Sequence, residues 1–323
     1  MASGAVHCLP VDLVILKHRV GRPRLITGTI DIDDVMANDL LKIGQFSILG
    51  RLGCGARSTI YQARDEEDGT IVALKRVIVE RPEDMRVVEQ TENEFKIASQ
   101  VDHPYIRKCF KLKKIRNLLK TKELLLSMEL FDGATLEETP PLSLGDVLLI
   151  FRLVATGLYA MHQRGFVHCD IKPNNILLGK SGAIKIIDLG QGCPIGTRKA
   201  RIQGTPDYIA PEQVNRQPLG PKTDIFNLGA TMYWALTGKN IPTLIPTRRN
   251  GFGLLEPRRA FQSPHELKPQ IPQEVSDLVM DCIKDNPAER PQDMLQVVSR
   301  LDRMIQQIFG QRLKAKRDAV ANG

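Results

Sequence analysis

Apolar and polar positions alternate differently in the two halves of the chain. Residues 44–62 end in FSILGRLGCGARSTIYQ, which reads as strand, glycine-rich turn, strand. After a turn-like DEEDG at 65–69, TIVALKRVIV predicts a further strand centred on Lys75. Residues 82–101 begin with Pro82 and carry apolar side chains at Val87, Val88, Phe95 and Ile97, a helical pattern with proline in its first turn. Beyond His103-Pro104, residues 106–115 and 123–130 predict two more strands. The first half is therefore expected to be antiparallel strands with one main helix.

After DGATLEETPP at 132–141 the period changes. Residues 142–165 are apolar at Val147, Leu148, Ile150, Phe151, Val154, Leu158 and Met161 and stop near Gly165, which predicts a long helix. NILL and AIKIID predict two short strands, and DIFNLGATMYWALTG, EVSDLVMDCIKDN and DMLQVVSRLDRMIQQIF predict helices. A β-rich lobe joined to an α-rich lobe is an α+β fold with a cleft between its parts, where ligands are commonly held.

With 323 residues, 42% of them hydrophobic, the chain is long enough for one large domain or two lobes. No apolar run is expected to reach the roughly 18 to 20 residues that span a bilayer, and the first twenty residues lack a secretory layout. Six cysteines are scattered singly (Cys8, Cys54, Cys109, Cys169, Cys193, Cys282), a usage that fits a reducing cytoplasm better than a disulfide framework or a zinc site. The net charge of +8 concentrates at 111–122, 248–259 and 312–317, either as solvated surface or for an acidic partner. These runs contain a single aromatic residue, Phe252, and so lack the interleaved aromatics of a nucleic-acid platform. Val20-Gly21-Arg22-Pro23-Arg24 is best read as a turn between two strands.

The densest chemistry lies in FVHCDIKPNNILL, residues 166–178. Such a polar knot can be no more than a loop whose asparagines bond their own backbone. It also groups Asp170, able to accept a proton from a hydroxyl, with Asn175, whose amide oxygen can meet a metal. Asp188, just after a predicted strand, is a hard oxygen ligand suited to Mg²⁺. The glycines at 53 and 55 let backbone N–H groups approach phosphates, though hairpin glycines are common for other reasons. Lys75 by default points to solvent; paired with Glu94 on the following helix it would instead grip phosphate oxygens.

Together these motifs resemble the eukaryotic-like (Hanks-type) serine/threonine protein kinase family. Gly53-x-Gly55 with Ile60 resembles its glycine-rich loop and Val72 to Lys75 its strand lysine; Glu94 stands where its helix glutamate falls. His168-Cys169-Asp170 to Asn175 resembles the catalytic loop, Asp188-Leu189-Gly190 the metal triplet and Ala210-Pro211-Glu212 the end of the activation segment. Asp224 opens a segment similar to the family's buried helix, and Arg290 stands where an arginine pairs with Glu212.

The resemblance spans about residues 44–309 and implies a bilobal kinase fold: an N-terminal extension 1–43, an N-lobe 44–132, a C-lobe 133–309 and a basic tail 310–323. It implies transfer of the γ-phosphoryl group of ATP to a protein Ser or Thr hydroxyl. Asp170 would be the proton acceptor, Lys172 would steady the transferring group, and Asn175 and Asp188 would hold Mg²⁺, with Mn²⁺ as an alternative. The nucleotide would lie against Leu52, Gly53, Gly55, Ser58, Ile60 and Ala73, its phosphates on Lys75 braced by Glu94. Met128 would be the gatekeeper, and the backbone from Glu129 to Phe131 would meet adenine. His168 is expected to be a structural hub.

Two departures stand out: Ser58 replaces the third glycine of the loop, and Cys169 replaces the arginine found before the catalytic aspartate in most regulated relatives. Neither removes an ATP-bonding side chain, so a catalytically silent kinase-shaped scaffold is the weaker alternative. Lys172, Glu212 and Asp224 argue against a small-molecule phosphotransferase of the antibiotic-kinase type. Lys172 and Thr205, before Pro206, agree with Ser/Thr rather than Tyr acceptors. The Cys169 exchange implies activity without a phosphate on the activation segment, whose hydroxyls are Thr197, Thr205 and Tyr208. Sequence spacing supplies no distance between Cys169 and Cys193, so a redox pairing of the two is set aside.

Overall fold

The computed structural model describes residues 41–55, 57–117, 120–242 and 261–321, with Phe309 and 311–321 as backbone only. The turn at Val20–Arg24, the basic stretch 248–259 and the side chains of the basic tail lie outside the described residues. The first lobe is a six-stranded antiparallel sheet and one helix. Its strands are β1 (Lys42–Ile43), β2 (Phe46–Cys54), β3 (Ser58–Asp65), β4 (Ile71–Ile78), β5 (Cys109–Asn117) and β6 (Lys120–Glu129), in spatial order β1-β2-β3-β4-β6-β5, and α1 (Met85–Ala98) packs against them.

Strand periodicity decides which residues can reach a ligand. Successive side chains on β4 point to opposite faces. Val72 and Leu74 enter an outer core with Phe46, Ala63 and Leu125. Ala73 turns the other way, into a cluster with Leu126, Met128 and Phe95 of α1, and Lys75 shares that face. Cross-strand register pairs Ile60 with Lys75 and Ala73 with Met128, which gathers these expected nucleotide residues on one face. The two strands expected at 106–115 and 123–130 instead run from 109 and from 120. Ile106 forms a bridge to Ile186 in the second lobe, so the chain enters β5 later than its apolar pattern suggests.

The second lobe is mostly helical. After β7 (Gly133–Thr135) come α2 (Leu144–Gln163), β8 (Phe166–Val167), β9 (Ile176–Gly179), β10 (Ile184–Ile186) and β11 (Cys193–Pro194). Helices α3 (Pro211–Val214), α4 (Pro221–Thr237), α5 (Pro264–Leu267), α6 (Gln273–Cys282) and α7 (Met294–Ala321) complete it. Ser143 caps α2 by accepting from the Asp146 N–H at 3.2 Å. Helix α2 is, by length and composition, apolar enough to cross a bilayer, against the expectation that no segment is. Its apolar residues Val147, Leu148, Phe151, Val154, Leu158 and Met161 are buried in the C-lobe core, which accounts for that composition.

Helix α4 is the centre of the lobe: thirteen of its seventeen residues are buried, so it has no solvent face of the usual kind. Gly229 is required where α4 meets α6, because a Cβ there would stand 2.5 Å from the Cys282 Cβ. The helix ends on Gly238 at φ +75°, whose N–H donates to Trp234 O at 2.7 Å.

One buried ion pair closes the base of the lobe. Arg290 donates from Nη1 to Glu212 Oε1 at 2.7 Å and from Nη2 to Glu212 Oε2 at 2.9 Å. Its remaining donors reach the carbonyls of Lys222, Lys284 and Asp285, and its guanidinium lies 4.9 Å from the Phe226 ring centre. A carboxylate left alone there would be buried and uncompensated. Arg290→Met is therefore expected to lower unfolding free energy by about 3–5 kcal/mol, measured by urea denaturation, whereas Glu289→Ala on the surface should change it by less than about 0.5 kcal/mol.

Candidate active site

The five residues between β8 and the short turn Pro173–Asn175, with Asn175 itself, carry most of the polar chemistry. His168 is fully buried; its Nε2 lies 3.1 Å from Ile187 O, and its Nδ1 is 3.3 Å from the Asp170 N–H that donates to it. It is a hub that shapes the loop, as expected. Cys169 adopts φ +65°, a conformation that costs a non-glycine residue about 1–3 kcal/mol unless its surroundings impose it. Asp224 of α4 imposes it: Oδ2 accepts from the His168 N–H and Oδ1 from the Cys169 N–H, each at 2.8 Å. His162 Nε2 lies 2.8 Å from the same Oδ2. Burial opposes ionisation of Asp224, but the His162 hydrogen bond and charge, with the Cys169 N–H, outweigh it and hold its pKa below the ordinary carboxylate value.

Strained backbone delivers Asp170 into a ring of donors. Lys172 Nζ lies 3.1 Å from Asp170 Oδ2 and donates to Thr205 Oγ1 at 2.8 Å; Thr205 Oγ1 donates in turn to Asp170 Oδ1 at 3.0 Å. Asn175 Nδ2 donates to the Asp170 carbonyl at 2.8 Å and to its Oδ2 at 3.3 Å. The amide nitrogen being committed, the amide oxygen is the atom of Asn175 able to meet a cation. Ile187 N–H donates to Asn175 O at 3.0 Å, which brings Asp188 alongside. Asp188 itself stands at φ +62°.

Across the cleft, Lys75 Nζ donates to Glu94 Oε2 at 2.8 Å, and Arg107 Nη2 lies 3.7 Å from Glu94 Oε1. The default reading of Lys75 as a solvent lysine thus fails. Burial favours its neutral form, yet the charges of Glu94 and then Asp188 outweigh that and raise its pKa, so the ammonium persists. Helix α1 is fixed to the segment after Asp188 by Asn93 Nδ2, which donates to Gly190 O at 3.1 Å and Gly192 O at 2.8 Å.

The expected nucleotide wall is assembled in part by backbone. Gly53 and Gly55 flank the β2–β3 hairpin, and Gly55 N–H donates to Ser58 O at 2.8 Å. That N–H is used in closing the turn. Leu52 is exposed at 51%, while Ala73 and Met128 are buried on the cleft face, with Ile60 partly so. Glu129 N–H donates to Lys108 O at 2.9 Å, so of the 129–131 backbone this donor is already taken. The Glu129 side chain pairs with Lys185 at 2.7 Å.

Among the described residues no three His, Cys, Asp or Glu side chains form a closed metal site. One carboxylate and one amide oxygen fit a cation whose other ligands are phosphate oxygens and water, the usual habit of Mg²⁺.

Two residues of this neighbourhood carry no recognisable sequence signal. Gln191 Nε2 donates to Asp170 Oδ2 at 3.1 Å, and Gln213 Nε2 donates to Cys169 O at 2.7 Å while its Oε1 accepts from Asn227. Both lie in otherwise ordinary polar stretches. Two of the six cations in the basic run 111–122 are paired within their own lobe: Lys111 with Asp65 and Glu67, and Lys114 with Glu92, while Arg116, Lys120 and Lys122 are exposed. That weakens the reading of Lys111 and Lys114 as part of a surface for an acidic partner.

Residues 46–301 match the protein kinase domain family. Serine/threonine-protein kinase PknA of Mycobacterium tuberculosis is 28% identical over 256 residues, covering 76% of this chain and 58% of the relative. Serine/threonine-protein kinase PknD of Chlamydia abortus is 27% identical over 278 residues, with 76% and 29% covered. Serine/threonine-protein kinase PLK4 of Xenopus tropicalis is 26% identical over 253 residues, with 76% and 26% covered. The chain thus spans less than two thirds of the length of these relatives. With the family match running from the first long strand into the last helix and enclosing the whole cleft, the chain belongs to the protein kinase domain family.

Proposed function

We propose that this chain is an ATP- and Mg²⁺-dependent serine/threonine protein kinase of the cytoplasm whose cleft is competent without a phosphate on its activation segment. The observation that carries the reading is the Asp170 carboxylate bracketed by Lys172 and Thr205 while Lys75 is closed onto Glu94. In this reading Asp170 accepts the proton of an incoming Ser or Thr hydroxyl and orients its oxygen for in-line attack. Lys172 neutralises charge that grows on the transferring phosphoryl group, and Lys75 holds the α- and β-phosphates. Asn175 and Asp188 hold the metal, which when bound supplies further charge neutralisation at the phosphate oxygens. Leu52, Ile60 and Ala73 supply apolar contact to adenine below the Met128 gatekeeper.

Independence from loop phosphorylation rests on Cys169. An arginine in that place would be a buried charge seeking a partner; Cys169 is neutral, fully buried and packed against Cys193, Val167 and Leu219. The segment has anchors of its own: Lys199 Nζ donates to Gln191 O, Leu219 N–H donates to Thr197 O at 2.9 Å, and Gly196 N–H donates to Leu219 O at 2.7 Å. Of its three hydroxyls, Thr205 is engaged with Asp170, and Tyr208 is buried and donates to Asn240. Thr197 Oγ1 donates to Pro194 O at 2.6 Å, and this half-buried hydroxyl is the one left for modification.

Lys75→Met and Asp188→Asn should each lower phosphoryl transfer from labelled ATP by at least about a hundredfold. In Lys75→Met, Glu94 keeps only the longer Arg107 contact, so a stability loss of about 1–3 kcal/mol accompanies the kinetic effect and circular dichroism must show the folded fraction. Near-native turnover in either folded variant would refute the assigned roles. Phosphatase treatment and Thr197→Ala should each leave turnover within about threefold of the untreated enzyme, because no two-state equilibrium is biased by a loop phosphate. A loss of tenfold or more would restore the loop phosphate as a requirement. Arg198 and Arg201 are exposed beside this segment, whereas Lys199 is committed to Gln191. Peptides with acidic flanks should therefore be phosphorylated faster, an advantage that 0.5 M salt and the double change Arg198→Glu, Arg201→Glu both erase. A peptide array preferring basic flanks would point to a different docking surface.

A further inference from the structure

Two thiols that no step of phosphoryl transfer uses are in contact directly beneath the catalytic loop. Cys169 immediately precedes Asp170, and Cys193 lies in β11, whose register places it opposite Val167 of β8. Their sulfurs are 3.8 Å apart. Both side chains are buried in a small apolar cluster with Val167 and Leu219, separate from the main core of the lobe. The other described cysteines, Cys54, Cys109 and Cys282, form no such contact with either of them.

We propose that Cys169 and Cys193 form an oxidative modification site, at which a peroxide converts two thiols to an intrachain disulfide that ties the activation segment to the catalytic loop. A disulfide bond is about 2.05 Å long, so the sulfurs need approach by under about 2 Å, a distance that rotation of two short side chains supplies. The pairing of β8 with β11, two residues from Cys169, holds the two backbones near each other.

The chemistry assigns the order of events. The hydrogen bond from Cys169, with Lys199 near, lowers the pKa of the Cys193 thiol below its ordinary value. The same hydrogen bond, then burial and the Asp224 carboxylate, raise that of Cys169. Cys193 is therefore the attacking thiolate and Cys169 the resolving thiol. The Cys193 sulfur attacks one peroxide oxygen, the O–O bond breaks, and a sulfenic acid and one water result. Cys169 then attacks the sulfenic sulfur; the S–O bond breaks, and hydroxide leaves as a second water with the Cys169 proton. Two thiols lose two protons and two electrons, and one peroxide becomes two waters. A dithiol reductant reverses the bond by exchange, as suits a transient disulfide in a reducing compartment.

The sulfurs touch in the same arrangement that holds Asp170 between Lys172 and Thr205, so the bond fixes that arrangement instead of disrupting it. It takes the place of a segment-to-loop tether that a charged residue at 169 would form only with a phosphate. This consequence for turnover rests on the kinase reading; formation of the bond does not.

The experiment uses the full chain, treated with hydrogen peroxide in the presence of a chelator, alkylated with N-ethylmaleimide and digested for mass spectrometry. The expected result is a linked peptide pair joining Cys169 and Cys193, about 2 Da below the sum of its parts, absent after dithiothreitol. The same species should persist in Cys54→Ser, Cys109→Ser protein and be missing from Cys193→Ser and Cys193→Ala. Closing this loop should raise the thermal midpoint by at least about 4 °C, with turnover within about threefold of the reduced enzyme. Recovery of Cys169 alkylated, with Cys193 alkylated or carried on to sulfinic acid, would overturn the site. Formation of the disulfide with a dithiothreitol-reversible loss of turnover of tenfold or more would overturn its holding role. Because the mass readout needs no kinase activity, a failure here is distinguishable from a failure of the proposed function.

Discussion

The Asp224 carboxylate, buried at the start of the central helix, is the constraint on which the cleft depends. An isolated carboxylate in that position would cost several kcal/mol. Here each oxygen is met by a backbone N–H of the catalytic loop, and His162 supplies a further donor. The arrangement is mutual. Asp224 is ionised because the loop N–H groups converge on it, and the loop holds Cys169 in a left-handed conformation because Asp224 rewards it. Asp170 is the next residue, so its position is inherited from this strain. A rigid helix with no solvent face of the usual kind thereby sets the geometry of the Asp170 side chain.

The second organising pair, Lys75 with Glu94, lies within the first lobe and is tied to the second through α1. Strand alternation puts Lys75 on the cleft face, but only α1 can bring Glu94 to it. Asn93, the neighbour of Glu94, binds the carbonyls of Gly190 and Gly192. The helix that braces Lys75 is therefore the same helix that braces the segment after Asp188. Movement of α1 would loosen both at once, so the two charged halves of the site are coupled through one element. Ile106, bridged to Ile186, adds a short backbone link between the same two regions.

Much of this was legible in the chain because the responsible signals are local. Strand alternation around Lys75, the helical period of 144–163 and the ordered polar motifs need no knowledge of distant contacts. What escaped was long-range. The two-residue strands β8 and β11 carry no period to detect. Gln191 and Gln213 become part of the site only because residues far along the chain fold back onto Asp170 and Cys169. The apolar richness of α2 is ambiguous in isolation, since lipid and a protein core ask for the same side chains; only its packing in the C-lobe core resolves it. The basic run at 111–122 likewise gives no sign that Lys111 and Lys114 are met by Asp65, Glu67 and Glu92 from other elements.

Cys169 joins these themes. The strained loop position beside Asp224 tolerates either a large cation or a small neutral residue, but with opposite consequences. A cation adds to the electrostatics of the segment and must be neutralised before the segment settles, which makes the catalytic arrangement conditional. A thiol leaves the negative charge of Asp224 to backbone donors and His162, and fills its remaining space against Cys193. Packing then replaces charge pairing as the force between loop and segment. Packing of four small side chains is a modest force, and Lys199, Gly196 and Leu219 supplement it with hydrogen bonds along the segment. On the function proposed above, the exchange removes one means of control and, with the two sulfurs 3.8 Å apart, supplies the chemical basis of another.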